Sequence, residues 1–166
     1  MLFNSKPMIN NALDDTDFGI LALLQKDSRI THKEIAARLN KSVTPIHVRI
    51  KRLQDEGYIK HYTAILDHKK IGLGLIAYTQ VQIKQHSHEG LMAFQTEVVK
   101  LKEVMECSHM TGSFDFLLRI AIRDMEEYND LVMNKLSKLP DVGMMQSFFV
   151  MSETKHETAY PLGNKL

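Results

Sequence analysis

The chain has 166 residues, of which 44% are hydrophobic and 25% charged, with a formal net charge of +1 and one cysteine. These are the proportions of an ordinary globular protein long enough for one large domain or two small ones. They exclude an internal disulfide framework, and no apolar run approaches the roughly 18 residues a membrane helix needs.

The near-neutral total hides a polarity along the chain. From Arg38 to Lys60 the bases are Arg38, Lys41, Arg49, Lys51, Arg52 and Lys60, against only Asp55 and Glu56. Further on, Glu89, Glu97, Glu103, Glu106, Asp124, Glu126 and Glu127 restore the balance. A basic N-terminal part and a more acidic remainder suggest one end that binds nucleic acid and another with a different task.

Residues 1–12 carry no periodicity and are expected to form a mobile arm. They also lack the long apolar core of a secretory leader. The lone Cys107 fits a reducing compartment, so a cytoplasmic location is expected. Ordered structure is expected from Leu13. Asp14 suits an N-cap, Asp17 adds negative charge three residues on, and Leu13 with Phe18 supplies a staple. Ile20, Leu21, Leu23 and Leu24 give the first helix its apolar side, with an end near Asp27-Ser28. Thr31 and Glu34 then make a T-x-x-E capping box, stapled by Ile30 and Ile35. Ala36 and Ala37 allow close helix approach, and Asn40-Lys41 is a turn. Ser42 is the expected cap of a third helix, where Pro45 is tolerated in the first turn.

In that third helix Val43, Ile46, Ile50 and Leu53 recur at three- and four-residue spacing and are expected to face the core. The complementary side presents Thr44, His47, Val48 and Lys51, flanked by Arg49 and Arg52, with Ser42 and Pro45 at its start. This is the layout of a helix-turn-helix whose second helix enters the DNA major groove. Thr44, His47, Val48 and Lys51 are placed for base edges, and Arg49 and Arg52, at the margins, for phosphates. The plainer alternative is a solvated amphipathic helix. Gly57 ends it, and Tyr58–Lys60 and Thr63–Leu66 read as extended segments, either a wing or a connecting strand.

Asp67 to Gly74, polar with two glycines, has the composition of a linker. Beyond it the pattern changes to strand, helix, strand, strand, helix, strand. The strands are expected over 75–84, 104–111, 116–123 and 142–152, the helices over 87–102 and from Asp124 to Leu139. That order is the split βαβ of ferredoxin-like domains. The expected fold is therefore α+β: a three-helix, winged-helix-like head over 13–66, a linker over 67–74, and a βαββαβ body over 75–160. Such a sheet is covered by helices on one face only. Ile76, Tyr78, Arg119, Met145, Phe149 and Met151 are candidates for the bare face. A second copy of the chain is the simplest cover, and its two-fold symmetry would suit a helix-turn-helix.

These stretches together resemble the Lrp/AsnC family of bacterial and archaeal regulators, its leucine-responsive branch most. The matching residues are Leu13-Asp14-x-x-Asp17-x-x-Ile20-Leu21, Ser28-Arg29-Ile30, Glu34-Ile35-Ala36, and Ser42 through Arg49-x-x-Arg52-Leu53. The match continues through Glu56-Gly57-x-Ile59-x-x-Tyr62-x-Ala64, Glu106-Cys107, Gly112-x-x-Asp115, Leu139-Pro140-x-Val142 and Phe149-Val150-Met151. The resemblance implies a ligand-sensing βαββαβ domain, homodimers that assemble into tetramers or octamers, and an amino-acid effector held between dimers. By resemblance the effector residues are Thr111, Gly112, Ser113, Phe114, Asp115 and Met125. The physical reading agrees at the turn, where a glycine lets backbone N–H groups approach a carboxylate and an aspartate can hold an ammonium. A plain hairpin turn would use the same two residue types. Pro140-Asp141-Val142 departs from the family, which usually has glycine after the proline.

No phosphate loop, H-E-x-x-H, C-x-x-C or G-x-S-x-G occurs, so no enzyme, metal or cofactor is expected. His86 and His88, an H-x-H without a third ligand nearby, read as a surface loop. The expected function is a sequence-specific regulator that binds double-stranded DNA and is modulated by an amino acid. The rival is an architectural DNA-bending or wrapping protein that ignores small molecules.

Overall fold

The computed structural model describes residues 13–162, and the arm expected over 1–12 lies outside them. The chain divides into two compact units. One ends at Ala64 and takes in the tail from Lys155, and the other runs from Ile65 to Thr154.

The first unit holds three helices, α1 (Asp15–Leu24), α2 (His32–Arg38) and α3 (Val43–Asp55). Two aspartates and a Thr-Glu pair start the first two helices. Asp14 accepts from the backbone N–H of Asp17 and Asp17 answers to that of Asp14, while Thr31 and Glu34 do the same for α2. Ser42 occupies the N-cap of α3, but its side chain makes no capping bond. Ile20, Leu24, Ile30, Ile35, Ala36, Ile46, Ile50 and Leu53 form one buried cluster. Val43, expected in that core, is the first residue of α3 and is 45% exposed. A Cβ on Gly19 would stand 2.7 Å from Leu39 Cδ2, so the missing side chain is what lets Leu39 close over α1. Asn40 takes the left-handed φ of 53° that turns the chain between α2 and α3, a conformation its short polar side chain tolerates.

Residues 58–66 contain no regular strand, so neither extended segment forms a paired wing there. The next stretch belongs to the second unit rather than hanging free as a linker. Asp67 accepts from the N–H groups of Lys69 and Lys70, His68 Nδ1 lies 2.7 Å from the carbonyl of Leu73, and Gly72 takes φ 84°. The tail beyond Thr154 groups with the head instead of the sheet. Gln25 Nε2 donates to the carbonyl of Tyr160 at 2.7 Å, and its Oε1 accepts from the Tyr160 N–H at 2.9 Å.

The second unit carries β1 (Leu75–Ile83), α4 (His88–Val98), β2 (Val104–His109), β3 (Phe116–Ile122), α5 (Met125–Asn134) and β4 (Val142–Phe149). Its antiparallel sheet has the order β2-β3-β1-β4, the expected βαββαβ arrangement. Ala77, Val81, Ile83, Phe116, Leu118, Ile120 and Ile122 share a core with Phe94 and Val98 of α4 and Tyr128 and Leu131 of α5. One polar cluster is inserted there, where Thr79 Oγ1 lies 2.9 Å from Tyr128 Oη and 3.3 Å from Ser147 Oγ.

The pairing corrects the expected bare face. Phe149 stands opposite Ala77 and Met145 opposite Val81, so both point to the helical side and pack on its core. Phe148 stands opposite Tyr78, which stands opposite Arg119, which stands opposite Glu106. These four make a row across the uncovered face. Ile76 is on that face by register but is already buried within the chain, and Met151 lies beyond the end of β4, fully exposed.

A reading helix and an effector turn

Helix α3 has three sides with three tasks. Its apolar side, Ile46, Ile50 and Leu53, is buried in the head. A second side carries Arg49 and Arg52, spaced like Asp14 and Asp17 on the facing start of α1. Arg49 Nη1 donates to both Asp14 oxygens, at 2.8 and 2.7 Å, and to Asp17 Oδ1 at 2.9 Å. Arg52 Nη2 donates to Asp17 Oδ2. The Asp17 side chain is only 1% exposed, so these guanidiniums neutralise a buried carboxylate. The N–H of Asp17 holds the Asp14 carboxyl below its ordinary value, against a smaller opposing effect of burial and with help from Arg49. Both aspartates in turn push the Arg49 guanidinium upward, Asp14 the more.

Arg49 and Arg52, expected as phosphate anchors, thus also have an internal role. One terminal nitrogen of each guanidinium is bonded to the start of α1. Charge alone suggested DNA; the matched D-x-x-D and R-x-x-R spacings were the signal for the clamp.

The third side is open. Ser42, Thr44, Pro45, His47, Val48 and Lys51 are all exposed. Salt bridges among the described residues of the head use Arg29, Arg49 and Arg52 and leave Arg38, Lys41 and Lys51 out. The structure therefore groups six of the eight expected DNA-facing residues on one solvent-exposed surface, with Lys51 as its free cation.

In the second unit, Thr111, Gly112 and Ser113 are exposed at the tip between β2 and β3, with Phe114 half-buried. Gly112 takes φ 126°, a conformation that L side chains rarely adopt. Asp115 is buried, and its carboxylate is partly spoken for. Its Oδ2 accepts from the Ile83 N–H at 2.7 Å, where the β1–β4 register shifts, and Oδ1 lies 3.2 Å from His86 Nδ1. Among the described residues Oδ1 is shared only with that ring, which is itself largely exposed. His86, read from sequence as plain surface loop, is thereby tied to the turn.

Met125 is not brought to this turn. It begins α5, after β3 has run its 7 residues away from Asp115. At about 3.3 Å per residue the two stand roughly 23 Å apart along the strand. Cys107 lies half-buried in β2, and burial pushes its thiol up.

Comparison with known proteins decides the family. The Lrp/AsnC ligand-binding domain matches residues 76–160, and a winged helix-turn-helix DNA-binding domain matches residues 13–60. The chain belongs to the Lrp/AsnC family. It is similar to the proline dehydrogenase transcriptional activator of Rhizobium radiobacter, 38% identical over 143 residues, which cover 86% of this chain and 92% of that one. The leucine-responsive regulatory protein of Escherichia coli K12 is 34% identical over 154 residues, 93% of this chain and 94% of its own. A transcriptional regulator of Neisseria meningitidis, solved as its L-Met complex, superposes with a TM-score of 0.87 at 36% identity, covering 93% of this chain and 99% of that one.

The Lrp/AsnC family consists of transcriptional regulators, and this member has both of their parts. Its head is the helix-turn-helix DNA-binding domain of a ligand-modulated regulator, and its sheet unit is the ligand-binding domain. No helix among the described residues is long and apolar enough to cross a membrane.

Proposed function

We propose that this Lrp/AsnC regulator reads double-stranded DNA, in the cytoplasm, through Ser42, Thr44, Pro45, His47, Val48 and Lys51, and that an amino acid bound by its sheet unit sets its assembly. The observation that carries the DNA reading is the division of labour on α3. The clamp to Asp14 and Asp17 immobilises the helix, while the exposed side keeps its polar and apolar groups free for base edges. Phosphate contacts then fall to cations outside the clamp, Lys51, Lys41 and Arg38.

The effector has an α-amino and an α-carboxylate group. Its ammonium goes to Asp115 Oδ1 in exchange for His86, and its carboxylate to the N–H groups around Gly112. Met125 belongs to this pocket only if a second copy supplies it, since within one chain it stands at the far end of β3. A pocket completed across copies gives the ligand a handle on oligomerisation, because it binds the assembled state and not its parts. The Neisseria relative's L-Met complex supports an amino acid of this kind.

A second copy also covers the sheet face carrying Tyr78, Phe148 and Met144, which are exposed large apolar groups. Homodimers formed there place two reading helices about 34 Å apart, or a multiple of it, and tetramers or octamers built from them add avidity. Isothermal calorimetry and sedimentation with each common amino acid test this. We expect heat and a shift in assembly with at least one. Flat responses to all, with DNA binding intact, would turn the conclusion to the architectural alternative.

A further inference from the structure

His47 stands on the open side of α3, and among the described residues its side chain makes no hydrogen bond and meets one other ring. Side-chain hydrogen bonds from α3 among the described residues run from Arg49, Arg52 and Gln54, not from His47. The imidazole of His32 lies with its centroid 5.2 Å from that of His47, the planes tilted by 51°. Both rings border a cleft of about 540 Å³ floored by Leu24, Ile30 and Ile50. An imidazole beside open space keeps several rotamers, and a reading group loses that freedom when it engages a base.

His32 is well placed to remove that freedom beforehand. It is the first residue of α2, directly after the Thr31 cap. The Thr31–Glu34 box fixes the backbone there, with the Thr31 N–H donating to Glu34 at 2.8 Å and the Glu34 N–H to Thr31 Oγ1 at 3.2 Å. Buried Ile35 and Ala36 of α2 share one core cluster with Ile46 and Ile50 of α3, so the distance between the two ring attachments is set by the core.

We infer that His32 is a positioning residue for base recognition by His47, its ring confining the His47 imidazole to the rotamers that point from α3 toward DNA. This rests on the reading of α3 as the DNA-contacting helix. A phosphate contact by His32 would strengthen binding to every sequence alike. A positioning contact acts at the one base pair His47 reads and leaves the rest unchanged.

The test uses the full chain and a pool of duplex DNA randomised across the binding length, with preference at each position read from the enriched sequences. His47→Ala flattens preference at one base-pair position per half-site. His32→Ala lowers preference at that same position by about fivefold or more, with affinity for random duplex unchanged. His32→Phe, which keeps a ring and discards the nitrogens, restores it. Should His32→Ala lower the melting temperature of the head, His32→Gln makes the same comparison with a polar side chain and no ring.

Undiminished preference in both ringless variants overturns the positioning role. An equal loss on random and selected DNA overturns it too, as does failure of His32→Phe to rescue. If His47→Ala leaves every position as sharp as before, the reading role of His47 falls and the positioning role falls with it. If His47→Ala flattens a position that His32→Ala leaves sharp, only the positioning role falls.

Discussion

Each unit of this regulator buries an aspartate, and the two are treated differently. Asp17 in the head is met by two guanidiniums and a backbone N–H, so both of its oxygens are held by partners within the head. Asp115 in the sheet unit is met by one backbone N–H and by a histidine whose side chain is 61% exposed. The first arrangement is a structural lock. The second shares one oxygen with a largely exposed side chain, and the proposed ammonium contact rests on that oxygen. Burial alone does not separate the two; the chemistry and exposure of the partners do.

The largest expected effect comes from opening the lock. Arg49→Ala with Arg52→Ala leaves Asp17 as a buried charge facing no cation, at a cost of about 3–5 kcal/mol to the head. Arg52→Ala alone, with Arg49 still on Asp17, costs about 1–3 kcal/mol. Hydrogen exchange resolved by segment reports it, with faster exchange in α1–α3 and none added in β1–β4. A stable head with weakened DNA binding would return both arginines to the phosphates.

Opening the Asp115 position has a smaller effect and divides by variant. Asp115→Ala orphans the Ile83 N–H and costs the sheet unit about 1–3 kcal/mol. Asp115→Asn keeps an acceptor for that N–H and melts close to wild type, while losing the negative charge that would hold an ammonium. Calorimetry with the responsive amino acid therefore shows loss of binding in Asp115→Asn despite normal stability. Unchanged binding would make the turn structural.

The two boxed helix starts and the βαββαβ order were legible in the sequence, because capping pairs and alternation are local. Gly112 and Asp115 were legible as a turn. The clamp was not read, since it joins residues 35 positions apart and its arginines had an equally good use on DNA. The faces of β4 were misassigned because apolar residues occupy both sides of Met144–Phe149, and only the pairing with β1 tells Phe148 from Phe149. The Met125 separation needed the direction of β3 relative to α5, which a one-dimensional match of family residues does not carry.

Acid should weaken both units, the head through Asp14 and Glu34 and the sheet unit through Glu103 and Glu127. Each is held below its ordinary value, 3.8 for Asp14 and 4.5 for the glutamates. For Glu34 the cause is hydrogen bonding from Thr31, and for Glu127 the Arg123 N–H. For Glu103, burial is the largest single influence and pushes the other way, but Lys135, a backbone N–H and Lys102 together outweigh it. A depressed carboxylate contributes stability that is present above its unfolded pKa and disappears as pH falls through the folded one. The melting temperature should accordingly show no change from these groups between about pH 5 and 7 and fall below about pH 4.5. Asp14→Asn should flatten the lowest part of that fall in the head's exchange rates and leave the sheet unit's untouched.

The smallest effect on stability should come from the open side of the same helix that carries the lock. Val48 is 60% exposed and belongs to neither core cluster. Val48→Ala should therefore change stability by no more than about 0.5 kcal/mol. Its methyl groups are nonetheless placed to meet a thymine methyl in the major groove. Specific binding should weaken by about fivefold while affinity for random duplex holds, the opposite signature to Arg52→Ala, whose defect begins in the fold. Reversed outcomes, a destabilised Val48→Ala and a stable Arg52→Ala, would exchange the two sides of α3 and place its DNA-facing surface on the arginines.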